Sequence, residues 1–154
     1  MTQMQQQIVP SDSSSSAEIF AEQVHPDHLW DIAPRLWPFV KKATDVSEFV
    51  SPEHIFRQAQ ENAVQLWVIY QYPPEELDIL AVVVTQIVRY DEASVCEILL
   101  AGGREMKKWT PLLTELEAWA KREGCSRIHV NGRPGWARVF PEYREVYRVF
   151  AKEI

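Results

Sequence analysis

Between residues 27 and 43, Leu29, Ile32, Ala33, Leu36, Trp37 and Val40 recur at helical spacing, which predicts an amphipathic helix. Pro34 and Pro38 fall inside it, so the pattern predicts a kink or a split into short pieces. A second helix is predicted to start at Ser51-Pro52-Glu53, a Ser cap followed by Pro in the first helical position. It runs to about Gln65 and buries Ile55, Ala59 and Ala63. The period then changes. Leu66 to Tyr72 reads as a strand, and Pro73 to Glu76 as a turn. Ile79 to Tyr90 is rich in β-branched residues and reads as a long buried strand. Asp91 to Ala93 connects it to a third strand, Val95 to Ala101, so the three form an antiparallel meander.

After Gly102-Gly103 the helical period returns. Trp109, Leu112, Leu113, Leu116, Trp119 and Ala120 make one stripe between Lys107 and Glu123, and Gly124 ends it. Ser126 to Asn131 is a strand, and a helix between it and the strand 95–101 implies a parallel crossover. Gly132 to Gly135 turns into a short helix, Trp136 to Phe140. Arg144 to Ala151 is predicted as the final strand, and Glu18 to Val24 as the first. Residues 1–16 are rich in Gln and Ser and too polar to offset their ordering entropy, so they read as a disordered tail. The prediction is therefore an α/β domain with a mixed sheet over residues 17–154, in the order β-α-α-β-β-β-α-β-α-β.

Composition narrows the function classes only slightly. At 154 residues the chain suits one domain. No apolar run approaches the roughly 20 residues of a membrane span, and no signal-peptide pattern opens the chain. Two cysteines do not indicate a disulfide framework, so a reducing cytoplasm is the expected compartment. The net charge of −6 argues against nucleic acid as a partner. Its distribution is uneven: residues 1–103 carry 5 basic and 15 acidic side chains, net −10, and residues 104–154 carry 11 and 7, net +4. The basic half suits either an anionic ligand or a solvated helix face.

A strand that ends in glycines and runs directly into a helix can hold an anion. Glycines admit close approach, and the first-turn amides have no intrahelical partner. Here that segment is Ala101-Gly102-Gly103-Arg104, with Lys107 and Lys108 beside it; a tight connection is the plainer reading. With this element order, the chain resembles the GNAT N-acyltransferase superfamily. A finer likeness, to GNAT-like proteins of tailed bacteriophages, lies in several segments: Thr85-Gln86-Ile87-Val88, Cys96 to Gly103, Trp109, Glu117 to Ala120, Gly124-Cys125, and Gly132 to Arg138. The resemblance implies that acetyl-CoA or another acyl-CoA lies against the strand 95–101. Its pyrophosphate would rest on the amides of Gly102, Gly103 and Arg104, its thioester oxygen on amides near Leu99 and Leu100. The usual phosphate pattern, Gln/Arg-x-x-Gly-x-Gly/Ala, is not kept, since Glu105, Met106 and Lys107 follow Gly103-Arg104.

Acyl transfer to an amine needs a base, an oxyanion site and an acid. Glu97 is the candidate base, as the only carboxylate in its apolar strand; alternatively it points to the sheet edge or pairs with Arg133 or Arg138. The resemblance implies a late tyrosine as the acid. Its position falls near Pro141, which leaves Tyr143 and Tyr147 as substitutes. His129 could relay protons or sit partly exposed. His25 and His28 read as a helix start rather than a metal site, and Cys96 as a buried structural thiol. Trp30 or Trp37 could line a substrate or partner groove. Two functions remain: transfer from acyl-CoA to an unidentified amine, or a catalytically weak GNAT-fold protein in a phage virion or its assembly. The second would bind protein through the acidic half and the tail, and homo-oligomerisation stays open.

Overall fold

A computed structural model describes residues 6–8, 18–47, 49–72, 77–132 and 134–154. Strand β1 (Gln6–Ile8) pairs antiparallel with β2 (Glu18–Gln23), so part of the predicted disordered tail is a short edge strand; residues 1–5 and 9–17 lie outside the described residues. A 3-10 turn, Pro26–His28, leads into α1 (Leu29–Thr44), followed by α2 (Pro52–Gln60). The meander is β3 (Gln65–Tyr72), β4 (Asp78–Arg89) and β5 (Ser94–Gly103). The predicted turn at 73–76 lies outside the described residues. Then come α3 (Met106–Trp109), a 3-10 turn at Thr110–Leu112, α4 (Leu113–Arg122), β6 (Cys125–Val130) and a 3-10 turn at Pro134–Arg138.

The strands form one six-stranded sheet in chain order, antiparallel from β1 to β5, with β6 parallel to β5 at the edge. Each sheet face carries a core. On one, Leu29, Leu36, Val40, Ile55 and Phe56 of α1 and α2 pack on Leu66, Val68, Val82 and Val84. On the other, Trp109, Leu116 and Trp119 pack on Trp67, Ile69, Val83, Cys96 and Ile98. The alternation of β3 and β4 feeds both layers, which is why these strands read as continuous apolar runs. Inside the second layer Trp67 donates to Thr85 Oγ1 (3.0 Å), which donates to Gln65 Oε1 (2.8 Å), so the buried polar atoms are paired.

Four predictions are corrected. First, of the predicted kink or split, the split is excluded: α1 is one continuous helix. Pro34 and Pro38 are both exposed, so the carbonyls of Trp30 and Pro34 that lose a donor face the solvent side. Second, the predicted helix 107–123 is two pieces, because Pro111 denies the amide that would continue α3 into α4. Third, α2 ends at Gln60, well before Gln65, where β3 begins. Fourth, Arg144 to Ala151 pairs with no described strand and is exposed throughout. Gly124 ends α4 as predicted, with φ +89°.

Candidate active site

The candidate site is the end of β5 where β6 leaves it. The two strands pair from Ser94↔Cys125 to Ile98↔Val130, and the Asn131 amide donates to Ile98 O at 3.1 Å. Beyond Ile98, no described strand lies on that side of β5. At the same place the β4–β5 register shifts: Thr85 faces Ile98, but Val84 faces Leu100. Leu99 is therefore an extra residue, a β-bulge that re-aims the backbone. From there the Arg104 amide donates to Leu80 O (2.9 Å), which sets the phase of the ladder. Gly102 then faces β4, and Ala101 and Gly103 turn their main-chain groups toward the side that β6 has left.

This overturns the expected glycine corner. Gly102 and Gly103 are the last two residues of β5, opposite Val82 and Ala81, not a turn. A Cβ on Gly102 would lie 2.7 Å from Phe39 O of α1, and one on Gly103 2.5 Å from Leu80 O. The glycines let α1 and β4 approach; the turn lies farther on. Arg104 spends its amide on β4 and so does not offer it to a diphosphate. Glu105 occupies the left-handed region, φ 55° and ψ 48°, where the usual pattern would supply a glycine.

The cations nearby are already matched. Arg104 is ion-paired with Asp78 and, at 2.8 Å, with Glu105; Lys108 meets Glu105 at 3.0 Å. The Arg104 and Gln71 hydrogen bonds hold the Asp78 carboxyl below its ordinary range. Lys107 is exposed at the same corner.

Glu97 is half-buried and, among the described residues, enters no ion pair. It stands opposite Gln86 on β4 and His129 on β6, so the three make a polar row on the α1/α2 face. Nε2 of His129 is buried without a hydrogen-bond partner, and the Tyr147 ring lies edge-on to it at 6.3 Å. Tyr147 thus shares a face with Glu97. Tyr143 does not: it packs with Phe140 in the α4 layer and donates to Glu117 Oε2 at 2.6 Å. Burial, then that bond, pushes its phenol well above the usual range. Sequence reasoning named His129 only as one option; the strand register places it beside Glu97.

Other side chains fall into structural places. His25 Nδ1 accepts from the Asp27 amide (3.1 Å), capping the first turn. Cys96 is fully buried and its thiol is pushed up to about 12, chiefly by burial, so it is no nucleophile. Trp30 and Trp37, with Ala33, Pro34 and Pro38, line an open hollow of about 420 Å³ on α1. Trp37 stacks on Phe56 at 5.4 Å, which fixes one wall of that hollow.

No protein-family profile matches the sequence, and no curated protein matches it. Solved structures do match the fold. An aminoglycoside acetyltransferase from an uncultured soil metagenomic sample, in complex with sisomicin, superposes with a TM-score of 0.61 at 13% identity, over 88% of this chain and 96% of that one. A GNAT family acetyltransferase of Staphylococcus aureus gives 0.59 at 14%, over 88% and 98%. The aminoglycoside N-acetyltransferase AAC(6')-Iy in complex with CoA gives 0.58 at 15%, over 96% and 99%. The chain has the mixed α/β fold of GNAT acetyltransferases.

Proposed function

We propose that the chain is an N-acyltransferase that moves an acyl group, acetyl in the simplest case, from acyl-CoA to an amine. The observation that carries this is the Leu99 bulge at the point where β6 diverges, which leaves backbone donors of β5 beside a gap in the sheet. The neighbours with CoA or an aminoglycoside bound support the two ligand classes. In this reading Glu97 accepts a proton from the ammonium, and His129 beside it fixes or passes that proton. The free amine attacks the thioester carbon, the Ala101 amide that faces the gap beside the Leu99 bulge holds the oxyanion, since the ladder turns the Leu100 amide to β4, and the thiolate leaves with a proton from Tyr147 while the attacking nitrogen gives its second proton to water. Tyr143 holds its proton on Glu117 and serves packing instead. The diphosphate rests on the first amides of α3, at Met106 and Lys107, rather than on Gly102, Gly103 and Arg104.

Titration calorimetry with acetyl-CoA and desulfo-CoA tests binding, and thiol release across a panel of amines tests transfer. Glu97→Gln should leave affinity alone and lower kcat by about 10²–10⁴. Unchanged turnover removes Glu97 from the mechanism, and no binding at all removes the enzyme reading. A second reading has its own support: the paired state of Arg104 and Lys108 and the side chain at Glu105 both weaken a phosphate site. On it, the chain keeps the fold without turnover, as a phage virion or assembly component. Absent heat with acetyl-CoA would favour that reading.

A further inference from the structure

We propose that Tyr143 and Glu117 form a clasp that places the Tyr147 phenol at the site from the opposite face of the sheet. Tyr143 is thus a positioning residue for Tyr147. This rests on the acyl-transfer reading and deepens it, by naming what holds the proton donor in place.

The chain changes faces between the two tyrosines. Tyr143 packs against the α4-layer core and tilts on Phe140, with ring centroids 5.3 Å apart. Tyr147 meets His129, which stands in the row with Glu97 on the α1/α2 face. The crossing takes four residues, which span at most about 14 Å. On so short a tether Tyr147 has few places to go once Tyr143 is fixed.

Tyr143 is fixed by α4. Its phenol donates to Glu117 Oε2 at 2.6 Å, a short bond to a carboxylate on a helix seated on the sheet. Its amide donates to Phe140 O at 3.0 Å. Burial, then the Glu117 bond, pushes the phenol up, so it stays a donor at neutral pH. Beyond Tyr143 the arm brings nothing comparable. Among the described residues, 144–154 are exposed and make no backbone hydrogen bond to another part of the chain. Their ion pair, Glu145 with Arg148, lies within the arm itself. The contact of Tyr147 with His129 is therefore held by what precedes it. Without the Tyr143 bond the last firm anchor is Phe140, which is buried. The tether then grows from four residues to seven, and the local concentration of Tyr147 at His129 falls about twofold from length alone. Lost orientation adds to that loss.

The test joins a spectroscopic and a kinetic readout on the full chain. The His129 ring-proton resonance, assigned by its loss in His129→Gln, reports whether the Tyr147 ring is in place. Tyr147→Leu should shift it, and Tyr143→Phe and Glu117→Leu should shift it in the same direction. Glu117→Gln, whose side-chain carbonyl still accepts, should leave it near its natural position. Tyr143→Phe keeps the ring and leucine suits a helix, so circular dichroism should not change in either variant. In turnover, Tyr143→Phe and Glu117→Leu should each lower kcat about three- to tenfold, with KM for thioester and amine unchanged. Made on top of Tyr147→Phe, they should lower kcat no further, because the clasp then has nothing to place. An unmoved His129 resonance would overturn the proposal. So would a loss of kcat of equal size with and without the Tyr147 phenol, which would leave the pair a packing contact. A natural chain that acylates no amine would sink the acyl-transfer reading instead, and the resonance alone would then decide the clasp.

Discussion

Glu105 is where one residue decides most about the candidate cofactor corner. Its backbone is left-handed, which costs a side chain-bearing residue about 1 kcal/mol that glycine does not pay. Its carboxylate also neutralises Arg104 and Lys108. These pairs are partly exposed, so losing them costs little. Glu105→Gly should therefore keep or slightly raise stability. It should tighten acetyl-CoA binding about fivefold, the effect of removing one anion from a diphosphate's surroundings. Calorimetry that finds binding unchanged or weaker would show that the diphosphate sits elsewhere. Tyr143 makes a different prediction. Its raised phenol pKa means the folded state favours the protonated form. The associated stability is complete below the unfolded pKa near 10 and is lost as pH rises toward the folded value. Urea melts from about pH 9 to 11 should thus show the natural chain losing stability relative to Tyr143→Phe. Parallel curves would mean that the phenol does not hold its bond to Glu117.

At the scale of elements, β5 joins the fold to the site. Its first half is held on both sides, and its second half, after the Leu99 bulge, only by β4 and α1. Gly102 fits because Phe39 of α1 lies where its side chain would be. Gly102→Ala should cost about 1–3 kcal/mol in a urea melt, since backbone rather than a flexible tip must move. A loss under about 0.5 kcal/mol would show that α1 shifts freely. This contact also explains what the sequence concealed. Periodicity located β2 to β6, α1, α2, α4 and the parallel crossover, because each buries a face. The role of Gly102-Gly103 is set by Phe39 and Ala81, far away in the chain, and paired glycines look the same in a ladder as in a turn. The bulge has no local signature either, for Leu99 differs in no way from Leu100 until its register with Val84 and Thr85 is known. Pro34 and Pro38 read as breakers only because their exposure was invisible. Arg144 to Ala151 was legible as a strand by composition, but strand propensity cannot name a partner.

The molecule as a whole is two apolar layers sharing one sheet. Leu36 is at the centre of the α1/α2 layer and Leu116 lies in the α4 layer, and they belong to separate side-chain clusters. A face-to-face layer spacing of about 10 Å on each side of the sheet keeps the two out of contact. Each substitution by alanine should cost about 2–5 kcal/mol, from lost burial and an unfilled cavity. Both layers rest on β3, β4 and β5, so neither can melt without exposing the face of strands the other needs. Either variant should still unfold in one transition, followed by near- and far-ultraviolet dichroism at a fixed protein concentration. The double variant should lose the sum of the two costs within about 0.5 kcal/mol, as expected for sites without shared partners. Two resolved transitions would mean that the layers are separate folding units. A marked excess or shortfall in the double variant would mean that the sheet carries packing strain from one face to the other. In that case a substitution in α4 would also disturb the Gln86, Glu97 and His129 row on the far side, and the site could not be treated as independent of its supporting layer.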